Sequence, residues 1–449
     1  MNTIDLQELP YPGDTAQAFG DRLRRPWAMF LDSGRPHGQS GRWDILVADP
    51  VATLVTRGGV TEIEHRGGPI QRSTEEPFSL VRGALAKYRP ERIDAPVPFV
   101  GGAVGYFAYD LARRIERLPA ITADVAGLPE MAVGIYEAAV LVDHATRRAW
   151  RVGPVGHAAT APRPVAPQPP LQIGSPLRAS LGADAYRRAV ERVLRYIRDG
   201  DCYQVNLALR FSAAAQGDAW PAYLVLRERN PAPHGAYLRL PFCQVLSVSP
   251  ERFLAVRGGR VETRPIKGTR PRHGDPMTDA LAGDELLASA KDRAENLMIV
   301  DLLRNDLGKV CRPGSIAVPR LFELERHPAV HHLVSTVTGT LRPDCDALDL
   351  LRGAFPGGSI TGAPKLRAMQ IIEELEPQRR GLYCGAIGYL GFDGAMDTSV
   401  TIRTLTVGGG EAHFGAGGGI VADSDPSAEY DEAQLKGRAL RELLEEFRK

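Results

Sequence analysis

Lys267 stands in Arg264-Pro-Ile-Lys-Gly-Thr-Arg-Pro-Arg272, at a strand end and beside a glycine. Glycine lets backbone and ligand approach closely, so a single lysine there is placed to meet one. A lysine becomes a nucleophile when desolvation or nearby cations keep its amine neutral, and Arg264, Arg270 and Arg272 are the cations at hand. The spacing equally permits a solvated basic loop. Ser249-Pro-Glu251-Arg252 opens what reads as a hairpin, Phe253 to Arg257 and Arg260 to Ile266, turning on Gly258-Gly259. That turn brings Glu251 and Lys267 to one end of the ribbon, whereas strict alternation puts them on opposite faces. Pro250 and Pro265 can interrupt the ladder. Failing that, Glu251 is an ordinary ion-pair partner of Arg252 or Arg264.

A second group is acidic. Ala290 to Asp306 carries many carboxylates on one helix, Glu295 among them, and Glu429-Tyr-Asp-Glu432 supplies another cluster. Two glutamates from distant segments, completed by water and an anionic ligand, suit Mg²⁺, which takes oxygen donors and keeps part of its shell for non-protein ligands. Helix-surface pairing such as Glu432 with Lys436 at i,i+4 is the plainer reading. Phe414-Gly-Ala-Gly417-Gly418-Gly419 is a glycine run whose backbone N–H groups suit an oxyanion, but it fits neither the dinucleotide fingerprint nor the Walker loop. Ser359-Ile-Thr-Gly362-Ala-Pro-Lys365 is another glycine turn opening a helix. His332 alone reads as a strand-end residue. Cys384-Gly385 lacks the strand–elbow–helix setting of a glutaminase nucleophile.

The elements that must hold these residues follow from composition and period. The 449 residues include 55 Lys+Arg against 54 Asp+Glu, a net charge of +1, which leaves no basic stripe for nucleic acid. At 43% hydrophobic and 24% charged the chain is an ordinary globular one, and 47 Gly with 35 Pro favour turns over a helical bundle. No apolar run is long enough to span a membrane, and the first ten residues lack a secretory pattern. Five scattered cysteines without CxxC suit a reducing compartment, so a cytoplasmic location is expected.

Prolines 162, 164, 167, 169, 170 and 176 mark an extended connector over 155–178, between a strand-rich part (1–154) and a second part (179–449). Ile135–Val142 and Arg147–Val152 read as a hairpin about Asp143-His144. Tyr186 to Ile197 has helical spacing ended by Gly200, and Tyr203 to Phe211 alternates as a strand. Further helices are expected over 284–303, 363–375 and 427–447. Gly101-Gly-Ala-Val-Gly-Tyr-Phe-Ala-Tyr-Asp110 matches Cys384-Gly-Ala-Ile-Gly-Tyr-Leu-Gly-Phe-Asp393 at five of ten positions. This leaves an internal duplication open, because glycine-rich strands resemble one another cheaply. The fold expected is α+β: two interlocked halves on mainly antiparallel sheets, packed as a sandwich with helices outside.

Pro-Ile-Lys267-Gly-Thr, Asp-Arg-Ala-Glu295, Asp301-Leu-Leu-Arg-Asn-Asp306, His332-Leu-Val-Ser, Thr-Gly-Ala-Pro-Lys365 and Gly419-Ile-Val-Ala-Asp423 occur in one order. With Trp27-Ala-Met-Phe-Leu-Asp-Ser33, they make the chain resemble the chorismate-utilising enzymes nearly end to end. The resemblance implies a Mg²⁺ ion on Glu295 and Glu432. It also implies substrate contacts from Gly268, Thr269, Tyr383, Arg403, Gly417, Gly418, Gly419 and Lys436, mostly to carboxylates. Within that family a lysine at position 267, where the anthranilate-forming branch has alanine, implies amination of chorismate at C4 on the route to p-aminobenzoate and folate. Lys267 is then the nucleophile, Glu251 the general acid and His332 an assistant near the C4 hydroxyl or C1 carboxylate. Gln204 aligns with a water-activating lysine of isochorismate synthases and cannot serve as that base.

The chain departs from fusion forms, so ammonia is expected from a separate glutaminase subunit in a heterodimer. Some relatives hold tryptophan at positions matching Ser33, Pro233 and His234, though His234-Gly235 departs from their commoner pattern. The alternatives are an anthranilate-forming enzyme and a non-catalytic regulator that binds chorismate or tryptophan. Lys267 argues against the first, and Lys267 with Glu251, Glu295 and Glu432 against the second.

Overall fold

The computed structural model describes residues 4–448 apart from 21, 23–24, 26, 35–40, 92–95, 155–167 and 328–329. The first part runs β1 (Ile4–Leu9), α1 (Thr15–Gly20), β2 (Ala28–Asp32), β3 (Trp43–Val47), β4 (Ala52–Arg57), β5 (Val60–His65) and β6 (Ile70–Ser73). It continues with α2 (Pro77–Tyr88), β7 (Gly102–Phe107), β8 (Met131–Tyr136), β9 (Ala139–Asp143) and β10 (Arg148–Pro154). Short strands β11 (Gln172–Ile173) and β12 (Arg178–Ala179) and helix α3 (Ala183–Arg198) lead on. Next come β13 (Gln204–Gln216), α4 (Trp220–Arg229), β14 (His234–Arg239), β15 (Cys243–Ser249), β16 (Arg252–Arg257), β17 (Arg260–Thr263) and β18 (Ile266–Pro271). Helices α5 (Pro276–Ala288) and α6 (Ala290–Gly308) precede β19 (Ala317–Arg326), β20 (Val330–Thr340), α7 (Ala347–Ala354), β21 (Gly362–Ala363) and α8 (Lys365–Leu375). The chain ends through β22 (Ala386–Gly391), β23 (Met396–Val400), β24 (Thr404–Gly408), β25 (Glu411–Ile420), α9 (Pro426–Lys436) and α10 (Arg438–Glu446).

Two large sheets, antiparallel throughout their main ladders, take strands from both sides of the 155–178 stretch, which makes the fold α+β with interlocked halves. One has the order β1-β10-β9-β3-β2-β14-β15-β24-β25-β13-β11, the other β18-β20-β17-β16-β23-β22-β7-β8-β4-β5-β6. Alternation along the strands sorts side chains into three cores. Met29, Ile45, Val104, Tyr106, Leu238 and Tyr389 fill the space between the sheets. Phe30, Leu46, Leu207, Leu209 and Tyr237 face α3 and α4. Ala103, Phe107, Leu254 and Leu390 face α2, α6 and α7.

The strand order carries an internal two-fold. Outward from β2 the first sheet reads β3, β9, β10, β1, and outward from β14 it reads β15, β24, β25, β13. The second sheet reads β8, β4, β5, β6 from β7 and β23, β16, β17, β20 from β22. Chain order maps one half onto the other, with α1 matching α4 and α2 matching α7. At the centre Gly105 pairs with Gly388, the matching glycines of the two similar ten-residue segments. Phe30 pairs with Tyr237, and these match too, because one faces Leu46 and the other Leu246. A further repeat lies 200 positions apart: Leu46, Pro50, Leu54, Arg57-Gly-Gly59 and Glu62 recur as Leu246, Pro250, Leu254, Arg257-Gly-Gly259 and Glu262. The duplication left open by the sequence is therefore present in topology, register and residues.

Some expected elements divide. The single helix 284–303 is two, α5 and α6, because Ser289 leaves helical backbone and its hydroxyl accepts from Asp292 N. The C-terminal helix breaks at Gly437. The strand expected over Ile135–Val142 divides between the sheets as β8 and β9. Of the connector, 155–167 lies outside the described residues, while Gln172–Ile173 and Arg178–Ala179 pair along β13.

Candidate active site

The second strand of the expected hairpin ends at Thr263, and Pro265 separates it from β18. Both β17 and β18 then pair with β20, in one register that continues past Pro265 to Lys267. Two bulges re-aim the ends: one between Arg252 and Leu254 opposite β23, the other between Lys267 and Thr269 opposite β20. Gly268 is the extra residue of the second, with φ +79°, and a Cβ there would press on Leu286 and Asp292 at 2.8–3.0 Å. The side chains of Glu251 and Lys267 therefore converge, which strict alternation did not allow.

Ser359 is the hinge of that convergence. Lys267 Nζ donates to its carbonyl oxygen at 3.1 Å, and its Oγ donates to Glu251 Oε1 at 2.7 Å. Glu251 is buried, and burial raises its carboxyl above the usual range against the pull of Ser359 and Lys267. A raised carboxyl pKa is the direction a general acid needs. Lys267 Nζ also sits 3.1 Å from Glu295 Oε1. Burial pulls its pKa down, but Glu295 and then Glu251 outweigh this, so the ammonium form is held.

Glu295 comes from α6. Burial would raise its carboxyl, but Lys267 outweighs it, with help from Lys436 and Gln204. Gln204 Nε2 donates to Glu295 Oε1 at 3.1 Å. From α9, Lys436 Nζ pairs with Glu432 Oε1 at 2.6 Å and donates to the Gly417 carbonyl at 3.1 Å. The glycine run on β25 is the floor between these helices. A Cβ on Gly418 would lie 3.1 Å from Glu429 Oε2 and 3.4 Å from Glu432 Oε1. One on Gly419 would overlap Gln204 Nε2 and lie 3.0 Å from Glu295 Oε1. Carboxylate oxygens ranged on a floor without side chains match the donor type Mg²⁺ takes. Among the described residues, no group of three or more His, Cys, Asp or Glu side chains forms a metal cage.

His332 is buried on β20, with Nδ1 3.0 Å from Thr269 Oγ1. Burial, His327 and Arg403 push its pKa down to about 3, so the ring is neutral. Arg403 occupies the turn between β23 and β24 at φ +49°, and Tyr383 covers Gly415, where a Cβ would strike its ring. Cys384 is buried and its thiol is pushed up to about 12, which rules it out as a thiolate nucleophile at neutral pH. Residues not singled out for the site from sequence are Ser359 and Glu429, the latter buried and receiving the Ser424 hydroxyl at 2.6 Å. The Gly-Ala-Pro-Lys365 turn was the only pointer to Ser359.

Away from this cleft, Ser33, Pro233 and His234 do come together. They line a cavity of about 260 Å³ between the sheets, with Arg252, Arg264 and Asp397. Burial, Arg252 and Arg264 hold His234 well below the usual histidine range.

Among the described residues no helix is long and apolar enough to cross a membrane. Residues 28–442 match the family described as chorismate binding enzyme. The chain is 50% identical over 443 residues to aminodeoxychorismate synthase component 1 of Klebsiella aerogenes, covering 97% of this chain and 98% of that one. It is 41% identical over 427 residues to anthranilate synthase component 1 of Streptomyces coelicolor, covering 88% and 82% respectively. Among solved structures, anthranilate synthase component I from Streptococcus pneumoniae superposes with a TM-score of 0.76 at 30% identity, over 90% of this chain and 95% of that one.

Proposed function

Because the chain belongs to the chorismate binding enzyme family, we propose that it transfers ammonia to C4 of chorismate, giving 4-amino-4-deoxychorismate for p-aminobenzoate synthesis. The observation that carries the reading is the convergence of Lys267 and Glu251 on Ser359. A buried lysine beside a buried carboxyl whose pKa is raised supplies the nucleophile and acid that two successive allylic displacements need.

As its pair with Glu295 opens, the Lys267 ammonium releases a proton to solvent, and the neutral amine attacks C2. The ring double bond shifts, and the C4–O bond breaks as Glu251 gives its proton to the departing hydroxyl, which leaves as water. Ammonia then bonds to C4, the double bond returns, and the C2–N bond to Lys267 breaks. Ammonia's extra proton passes to the site's bases, so chorismate and ammonia become the aminated product and water. Arg403, Lys436 and the N–H groups of Gly417 to Gly419 are suited to hold the two carboxylates, with Gly268, Thr269 and Tyr383 framing the ring. Neutral His332 can accept from or donate to the C4 hydroxyl without adding charge. A Mg²⁺ ion on Glu295 and Glu432 would bind the ring carboxylate and draw electrons from the ring.

Ammonia comes from a separate glutaminase. The designation component 1 in the relatives' name supports a second component, and the buried, protonated Cys384 offers no glutaminase nucleophile in this chain. The enzyme works in the cytoplasm, in keeping with its five unpaired cysteines. In a second reading, the 260 Å³ cavity beside Ser33, Pro233 and His234 holds a free tryptophan; its size and mixed polar lining suit an amino acid.

The purified chain, chorismate, Mg²⁺ and an ammonium salt at alkaline pH test the main reading without a glutaminase. A product that keeps the enolpyruvyl group by mass spectrometry is expected. Anthranilate with pyruvate would assign the chain to the other branch, and no turnover would leave a binding protein.

A further inference from the structure

The internal two-fold places a second cleft where the first half repeats the catalytic one. The 200-residue offset puts Val51 in the place of Glu251 and Gly67 in the place of Lys267. Met131 and Met396 hold matching register positions on β8 and β23, which puts Ala138 in the place of Arg403. Nucleophile, acid and guanidinium anchor are thus all missing from the repeat. It is nonetheless concave. A cavity of about 50 Å³ is lined by Arg22, Arg25, Asp49, Arg66, Glu137 and Arg151, together with Val51 and Ala138.

Its charge differs from that of a collapsed relic. Among the described residues that line it, four guanidinium groups face two carboxylates. Asp49 is already engaged: Arg25 pairs with its carboxylate at 3.2 Å, and Arg66 donates to its carbonyl. Asp49 also holds φ +55°, a conformation its counterpart Ser249 does not share. Such backbone persists where the surroundings over-determine it. Glu137 comes from the β8–β9 turn and Arg151 from β10. At roughly 10–15 Å³ per water, the cavity takes about three to five heavy atoms. That is one carboxylate or phosphate group, and too little for a ring. Planar guanidinium forks recognise such groups bidentately.

We propose that this second cleft binds one small oxyanion, a carboxylate or an inorganic phosphate, and does no chemistry on it. The site is the catalytic cleft's mate emptied of its reacting groups, with arginines in their stead. It holds whichever reaction the first cleft performs.

Thermal unfolding of the full chain tests it, with sodium phosphate and sodium acetate titrated separately at constant ionic strength maintained with NaCl. A saturable rise in Tm is expected for at least one anion, and the anion that saturates at lower concentration identifies the chemistry. Arg66→Gln and Arg151→Gln should each flatten the rise, while Arg403→Gln in the catalytic cleft should keep it. A rise that never saturates, or one that survives both arginine variants and disappears with Arg403→Gln, overturns the proposal. Crystals of the unaltered chain soaked in selenate give a readout independent of variant folding. Anomalous density between Arg66 and Arg151 supports the site, and density confined to the catalytic cleft or absent refutes it.

Discussion

Lys267 Nζ lies 3.1 Å from Glu295 Oε1, so the proposed nucleophile and a proposed metal ligand are one ion pair. Each satisfies the other where little water reaches, and removing one leaves the other's charge nearly buried. Lys267→Ala should therefore do two things. The C4-aminated product should fall below detection by mass spectrometry, since the attacking amine is removed. The chain should also lose about 3 kcal/mol, the low end for breaking a buried pair, because both partners keep some solvent. Full aminodeoxychorismate turnover by the variant would sink the covalent route.

Ser359 sets the acid. Its hydroxyl donates to Glu251 and favours the carboxylate, opposing the rise that burial imposes. In Ser359→Ala that opposition is gone, so the Glu251 pKa rises further. A general acid must be protonated, and its pKa marks where activity falls on the alkaline side. The alkaline limb of kcat/KM should move to higher pH in Ser359→Ala. Glu251→Gln should lose roughly 10²–10⁴-fold in kcat. An unmoved limb would detach Ser359 from the acid, and unchanged kcat in Glu251→Gln would dismiss Glu251 itself.

The outline of the site was legible through the resemblance to the chorismate-utilising enzymes; spacing alone left Lys267 in a basic loop, Glu251 in an ion pair and Glu432 beside Lys436. The meeting of Glu251 and Lys267 was not legible, because it depends on the bulge between Arg252 and Leu254, which changes the face Glu251 takes relative to the rest of β16, and a bulge cancels counting by twos. Period gave the position of β13 and α3, but not the breaks at Ser289 and Gly437. Ser289 followed by Asp292 is a helix-start signal inside a run that reads as one helix. The duplication was half visible. Five matches in ten glycine-rich positions prove little, and only the pairing of Gly105 with Gly388 made them symmetric.

Magnesium binding can be separated from catalysis. Glu295 and Glu432 reach β25 from different helices, and each is held there by a lysine. Calorimetric titration of Mg²⁺ into the chain with chorismate present should show binding weakened at least about tenfold in Glu295→Ala. Glu262→Ala, on the far hairpin, should bind as the unaltered chain does. An unweakened Glu295→Ala would move the metal elsewhere.

Gly419 leaves no room for a side chain. A methyl there overlaps Gln204 Nε2 and approaches Glu295 Oε1 at 3.0 Å, so Gln204 must release the carboxylate it holds. Displacement of a site group by about 1 Å costs on the order of 10²-fold in rate. Gly419→Ala should lose about that in kcat/KM while its melting temperature stays near that of the unaltered chain. Unchanged kinetics would mean that Gln204 does not position Glu295.

Buried histidines make the fold acid-sensitive. His332 and His413 are both pushed down to about 3, His332 by burial, His327 and Arg403, and His413 by burial and Arg210. In the unfolded chain each regains an ordinary pKa near 6.5. Between about 6.5 and 3 the unfolded chain therefore binds protons that the folded chain refuses, and stability falls as pH falls. The slope reaches about 1.4 kcal/mol per pH unit for each fully titrating group. Denaturant midpoints should fall steadily from pH 7 to pH 5, and His413→Gln, which lies outside the cleft, should make that decline shallower. A decline unchanged in His413→Gln would assign the acid sensitivity to the carboxylates instead.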